Sequence, residues 1–339
     1  MKKLRLSLSI VFLVFAPRAW AQGTAPLKLV SAIALPSDVK GHFDHFGVDL
    51  KGHRLFATAE DYQSVLVIDL NTLKVARTIS GIRRPHAVLY RGDLDRIYVT
   101  DGGAGDLKIF DGKTYDLIKS LKLLPDADSI GYDPETQFLY IDNGGGDAHQ
   151  TYSMLSIVDT TAGEKVADIK IDGDTLEAMA LEKSTPKMYV NNRAKNQVEV
   201  VDRQKREVVA SWPVTRGKVN VAMALDETHH RLFVACRSGQ IVVFDTATGK
   251  EIEALAIPKG VDDAVYDPAS QRLYASCGEG DGAAVVFRET DPEHYESLGS
   301  VTTGPAGRTS RLVPELHRYF VAVPPHGNKN AEVMVFEVQ

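Results

Sequence analysis

Near the start of the chain the stretch GHFDHFGVDLKGHRLF, Gly41 to Phe56, sets His42, Asp44 and His45 almost side by side. Imidazole nitrogens suit zinc, copper and iron, and carboxylates suit these ions and harder ones, so the stretch raises the question of a metal site. The sequence holds no H-E-x-x-H, no paired C-x-x-C and no EF-hand loop, and any ligand set has to be assembled by the fold from distant segments. A G-x-S-x-G nucleophile elbow is also missing.

Self-similarity locates those segments. A short phrase recurs as RLF at Arg54, RIY at Arg96, FLY at Phe138, KMY at Lys187, RLF at Arg231, RLY at Arg272 and RYF at Arg318, with spacings of 42, 42, 49, 44, 41 and 46 residues. Each phrase follows a turn and precedes, across a polar or glycine-rich hairpin, an alternating apolar run such as SVLVIDL, QVEVVDR or QIVVFDT. Period-two alternation between turn signals predicts strands. A fourth strand closes six units: KVARTI, LIKSLKL, KVADIKI, EVVASWPV, EIEALAI and YESLGSV. The seventh unit stops at Gln339 without one, while KLVSAIAL near the N-terminus has the missing pattern. This repeat predicts an all-β, seven-bladed β-propeller of four-stranded blades, the last blade completed by the N-terminal strand.

With the strands of a blade lettered A to D outward from the axis, counting ten positions back from each phrase reaches the start of strand A. The count gives Asp44, His86, Asp128, Glu177, Val221, Asp262 and Arg308, with His45, Asp263 and Thr309 beside them and Asn220 just before Val221. Six of these seven positions are ionisable and are expected to ring one mouth of the central channel. Acids and imidazoles converging on one axis perturb each other's pKa and favour a cation or cationic ligand; polar residues that merely solvate strand ends are the alternative. His45 and His86 with Asp128 would suit zinc, copper or iron, whereas Asp44, Glu177 and Asp262 with backbone oxygens would suit calcium or magnesium. Arg308 is placed to clamp an anion. A divalent metal ion is the cofactor this pattern suits. His149 and His326 map to B–C hairpins of the same face, and His53, His229, His230, His294 and His317 to turns on the other.

The RLYV-type phrase, the V-x-V-x-D phrase ending at Asp69, Asp111, Asp159, Asp202 and Asp245, and the K-V-style strand after it resemble the YVTN repeat of the YncE-like bacterial propellers. The resemblance covers nearly all of the chain after its leader and implies the same seven-bladed architecture. Arg288 and Glu337 stand where blades six and seven should carry the aspartate. Propellers of this kind include binding proteins, scaffolds and several enzymes, so the chemistry has to be read from the site. The motifs of calcium-dependent lactonases and streptogramin lyases, which use this end of related propellers, are not matched residue by residue.

The chain opens with MKKLR, an apolar LSLSIVFLVFA and PRAWAQG, the pattern of a signal peptide cleaved after Ala21. The mature protein is expected in the periplasm or outside the cell, as a monomer of one domain, residues 22–339, with no membrane span. Removing the leader deletes Lys2, Lys3, Arg5 and Arg18 but no acid, and moves the formal charge from −6 to −10. Without a clustered basic face this excludes nucleic acid as a partner. Cys236 and Cys277 occupy equivalent positions in adjacent blades, where radial divergence keeps them too far apart for a disulfide; two buried thiols are expected. DGGAGD, DNGGGD and CGEGDG read as hairpins, since an alternating strand rather than a helix follows each. Two functions remain: a binding module for a small molecule, metal or protein, or a metal-dependent hydrolase, lactonase or lyase at the same mouth. A redox subunit ranks last, for want of C-x-x-C-H or a copper cluster.

Overall fold

The computed structural model describes residues 25–339, so the leader and its cleavage point lie outside the described residues. Seven four-stranded antiparallel sheets follow one another along the chain, and the seventh has the N-terminal strand Leu27–Ala34 as its outer member. That strand pairs with Glu332–Val338 from Leu27↔Val338 to Ala34↔Glu332, with a shift of register between Leu29 and Ser31. The other outer strands, such as Lys74–Ile79 and Leu117–Lys122, fall on the predicted segments. Among the described residues no helix is long and apolar enough to cross a membrane.

The repeated phrase forms strand B, and its aromatic wedges one blade against the next. Phe56, Tyr98, Tyr140, Tyr189, Phe233, Tyr274 and Phe320 are at most 1% exposed, each in an apolar cluster that also holds residues of the following blade: Phe56 with Ile97, Tyr98 with Leu139, Tyr140 with Met188, Tyr189 with Leu232, Phe233 with Leu273 and Tyr274 with Tyr319. The seventh cluster joins Phe320 to Leu55 and includes Ile33 of the N-terminal strand, which closes the ring. Each fully buried aromatic contributes on the order of 1.5–3 kcal/mol.

The predicted turns are also present. Asp69, Asp111, Asp159, Asp202 and Asp245 each accept hydrogen bonds from the backbone N–H groups two and three residues on, as do Asp69 Oδ1 from Asn71 and Thr72 at 2.9 and 2.8 Å. Blade 6, with Arg288 in place of this aspartate, runs its C strand on to Asp291, whose Oδ1 accepts from the Glu293 N–H at 2.9 Å. Cys236 and Cys277 are buried free thiols, and burial pushes both pKa values up to about 12.

Candidate functional site

The A strands begin at Phe46, Pro85, Ile130, Leu176, Asn220, Val261 and Thr309, within two residues of the predicted positions. Alternation sends alternate side chains of these starts toward the axis, where they line a cavity of about 310 Å³ at the channel mouth. Asp44, His45, His86, Asp128, Glu177, Asp262 and Arg308 all line it. Asp263 lines instead a cavity of about 300 Å³ further along the channel. Asn220 lines neither: its buried amide donates to Asn191 Oδ1 at 2.8 Å and to the Gln197 carbonyl at 3.1 Å, a structural task.

His45 lies between the two cavities. Its Nδ1 is 3.0 Å from Asp263 Oδ1, a bond from blade 1 to blade 6, and its Nε2 is 3.3 Å from Asp44 Oδ1. Asp263 also accepts from the Ser310 N–H at 2.6 Å. Both ring nitrogens of His45 therefore face carboxylates. His86 Nδ1 bonds Asp44 Oδ2 at 2.6 Å and lies 3.7 Å from Asp128 Oδ1, while its Nε2 is buried without a partner. A side chain at Gly102 would sit 2.7 Å from that Nε2, so the glycine permits the ring to lie here. Donor atoms of Asp44, Glu60 and His86 fall within 4.8 Å of one another; this set shares only His86 with the predicted trio His45, His86 and Asp128.

Charge is unevenly spread around the mouth. Eight carboxylates, four guanidinia and two imidazoles line the cavity. Burial opposes ionisation of Asp44, but His45 and the hydrogen bond from His86 outweigh it and hold Asp44 at about 2. Burial also works against protonated His86, yet Asp128 and Asp44 lift it to about 10. The acids with less cationic support go the other way. Burial raises Asp128 to about 6, and burial with Asp128 nearby raises Glu177 to about 8 in spite of the Arg193 contact at 2.8 Å. Asp142, buried behind them, is pushed well above the carboxylate range by burial and Asp128.

On the opposite side the surplus is positive. Asp262 sits between two guanidinia, paired with Arg237 and with Arg308 Nε 2.8 Å away. The Arg308 N–H is not aimed at that oxygen, so the contact is ionic and leaves donors free.

The chain resembles two proteins named "Uncharacterized protein YncE", from Salmonella typhi at 31% identity and from Salmonella typhimurium at 30%, each over 119 residues. The matched segment is 35% of this chain and 33% of each relative, so it spans about a third of the length of the curated relatives. The fold is a seven-bladed β-propeller, and over that third the chain is similar to YncE. No family model matches the chain. Among solved structures, a chain in a crystal structure of a mitotic checkpoint complex superposes with a TM-score of 0.76 at 12% identity, covering 98% of this chain and 99% of that one. A chain of Kuenenia stuttgartiensis hydrazine synthase does so with 0.73 at 16%, covering 90% and 98%. At these identities the likeness is one of fold alone.

The propeller also places at its mouth residues that the strand-A count misses. Glu60, Arg193 and Arg237 each stand six positions after the first residue of a repeated phrase, at the start of a B–C hairpin, so the same count run forward would have found them. Arg84 and Asp126 come from the loops two residues before His86 and Asp128; Arg84 Nε bonds Glu60 Oε1 at 2.9 Å.

Proposed function

We propose that this YncE-like propeller is an exported binding module whose channel mouth takes a divalent cation on Asp44, Glu60 and His86, with Arg237 and Arg308 facing a carboxylate or other anionic group of a small ligand. The observation that carries the reading is the convergence of those three donors within 4.8 Å, inside a cavity whose carboxylates outnumber its cations. One imidazole with two carboxylates suits zinc, manganese or iron better than calcium. A cation there would replace the proton shared by His86 Nδ1 and Asp44, and its charge would oppose the burial that raises Asp128 and Glu177.

Calorimetric titration of chelator-stripped protein with zinc is the test. Glu60→Gln is expected to weaken binding at the mouth by roughly 10–100-fold or more, and an affinity unchanged by Glu60→Gln and by Asp44→Asn would refute the assignment. A metal-dependent hydrolase, lactonase or lyase at the same mouth is the second reading. It is favoured by Asp128 at about 6 and Glu177 at about 8, values suited to general acid–base work near neutrality.

A further inference from the structure

The far face of the ring carries its own cluster of metal-binding side chains. In blade 1 the aspartate that ends strand A, Asp49, is neutralised by Arg54, with contacts of 2.9 and 2.7 Å. In blade 3 Asp133 is met by Arg203 at 2.6 Å. Blade 5 departs from this pairing. Asp226, 2% exposed, has beside it Glu289 from the C strand of blade 6, also 2% exposed, and one imidazole, His229. Asp226 Oδ1 caps the turn by accepting from the Thr228 N–H at 3.1 Å. Its Oδ2 is 2.6 Å from His229 Nδ1, and Glu289 Oε1 is 3.4 Å from the same nitrogen.

Glu289 holds the decisive atom. Its Oε2 accepts from the Tyr266 hydroxyl, which fixes the carboxylate, while Oε1 is buried, without a hydrogen-bond partner, and directed at His229. Asp226, His229 and Glu289 each offer one donor atom, and the three lie within 4.8 Å of one another. Two buried carboxylates against a single imidazole leave negative charge that an arginine removes in blades 1 and 3. The His229 side chain is 33% exposed, and a surface cavity of about 490 Å³ is lined by Asp226, so an ion can reach the cluster from solvent.

We propose that Asp226, His229 and Glu289 form a second metal site, on the face opposite the mouth, that takes a divalent transition-metal ion and clips blade 5 to blade 6. The imidazole nitrogen selects against calcium and magnesium, and water fills the remaining position of a tetrahedral zinc. Tyr266 orients Glu289 from behind, as outer partners of metal ligands do. Because the ligands come from two blades, the ion stabilises the folded ring by linkage.

The test uses the full chain carrying Asp44→Asn and Glu60→Gln, which removes the mouth donors and keeps the two sites separable. Stripped of metal and titrated with zinc, this protein is expected to bind one ion per chain and to melt at higher temperature when zinc is present. Adding His229→Ala is expected to weaken that binding by roughly 10-fold or more and to abolish the zinc-dependent rise in Tm. Glu289→Gln, which keeps side-chain volume in the buried site, provides the second variant and is expected to do the same. Absence of zinc binding in the mouth-disabled protein, or binding unchanged by both far-face substitutions, overturns the proposal. Loss of the mouth zinc alone leaves it standing.

Discussion

Folded Glu177 holds its proton up to about 8, whereas its ordinary value is 4.5. Between those values the native state binds the extra proton, so Glu177 makes stability fall as pH rises through that window. His86 acts in the same direction for a different reason. Its ion pairs stabilise the fold fully below 6.5, and that stabilisation is lost as pH rises through about 10. Asp44 is the converse case: its contribution is present above 3.8 and lost as pH falls through about 2. Metal-free protein is therefore expected to be most stable on the acid side of neutrality. Glu177→Gln should remove part of the alkaline slope and raise Tm near pH 8 by at most ~2–4 °C for each kcal/mol recovered. Parallel Tm-versus-pH curves for wild type and variant in scanning calorimetry would contradict the assignment.

The N-terminal strand decides how the blades close. Ile33 is 1% exposed in the cluster that joins blade 7 to blade 1, and Leu27 is 1% exposed in the one between blades 6 and 7. Ile33→Ala is expected to cost about 2–5 kcal/mol in chemical denaturation. Deleting residues 27–34 should free the edge of Glu332–Val338 and cause aggregation visible in light scattering; a monomeric deletion variant of unchanged stability would refute the closure. Near the axis the constraint is space. A Cβ on Gly47 would lie 2.7 Å from the Val88 carbonyl oxygen of the next blade, so Gly47→Ala is expected to destabilise by about 1–3 kcal/mol. The strands were legible because turn signals bound each short run rich in β-branched residues and the RLY aromatic marks strand B in every blade. Glu60, Arg193 and Arg237 were not noticed because hairpin residues carry no periodic signal of their own. Their place becomes visible only when they are counted from the strand before them. Asn220 was misplaced by one residue of alternation, which turns a side chain from the channel into the sheet packing.

At the scale of the whole molecule, a ring of seven wedges brings residues far apart in sequence into contact, as Pro26 with Gln339 at the closure and His45 with Asp263, 218 positions apart, across the channel show. The polar ring at the mouth was readable because every blade enters strand A at the same level. The split of that ring into an acidic side and an arginine-bearing side was not, since it depends on side chains from the strand-A entrances and the B–C hairpins of several blades meeting across the axis. The proposed export has its own test. N-terminal sequencing of the secreted protein should begin at Gln22, and a protein retaining Met1 would count against that. The most direct test of a cation at the mouth is anomalous diffraction from crystals soaked in zinc. An anomalous peak bounded by Asp44, Glu60 and His86, lost in Glu60→Gln crystals, is the result expected; a mouth with no anomalous peak, or one unmoved by Glu60→Gln, would contradict it.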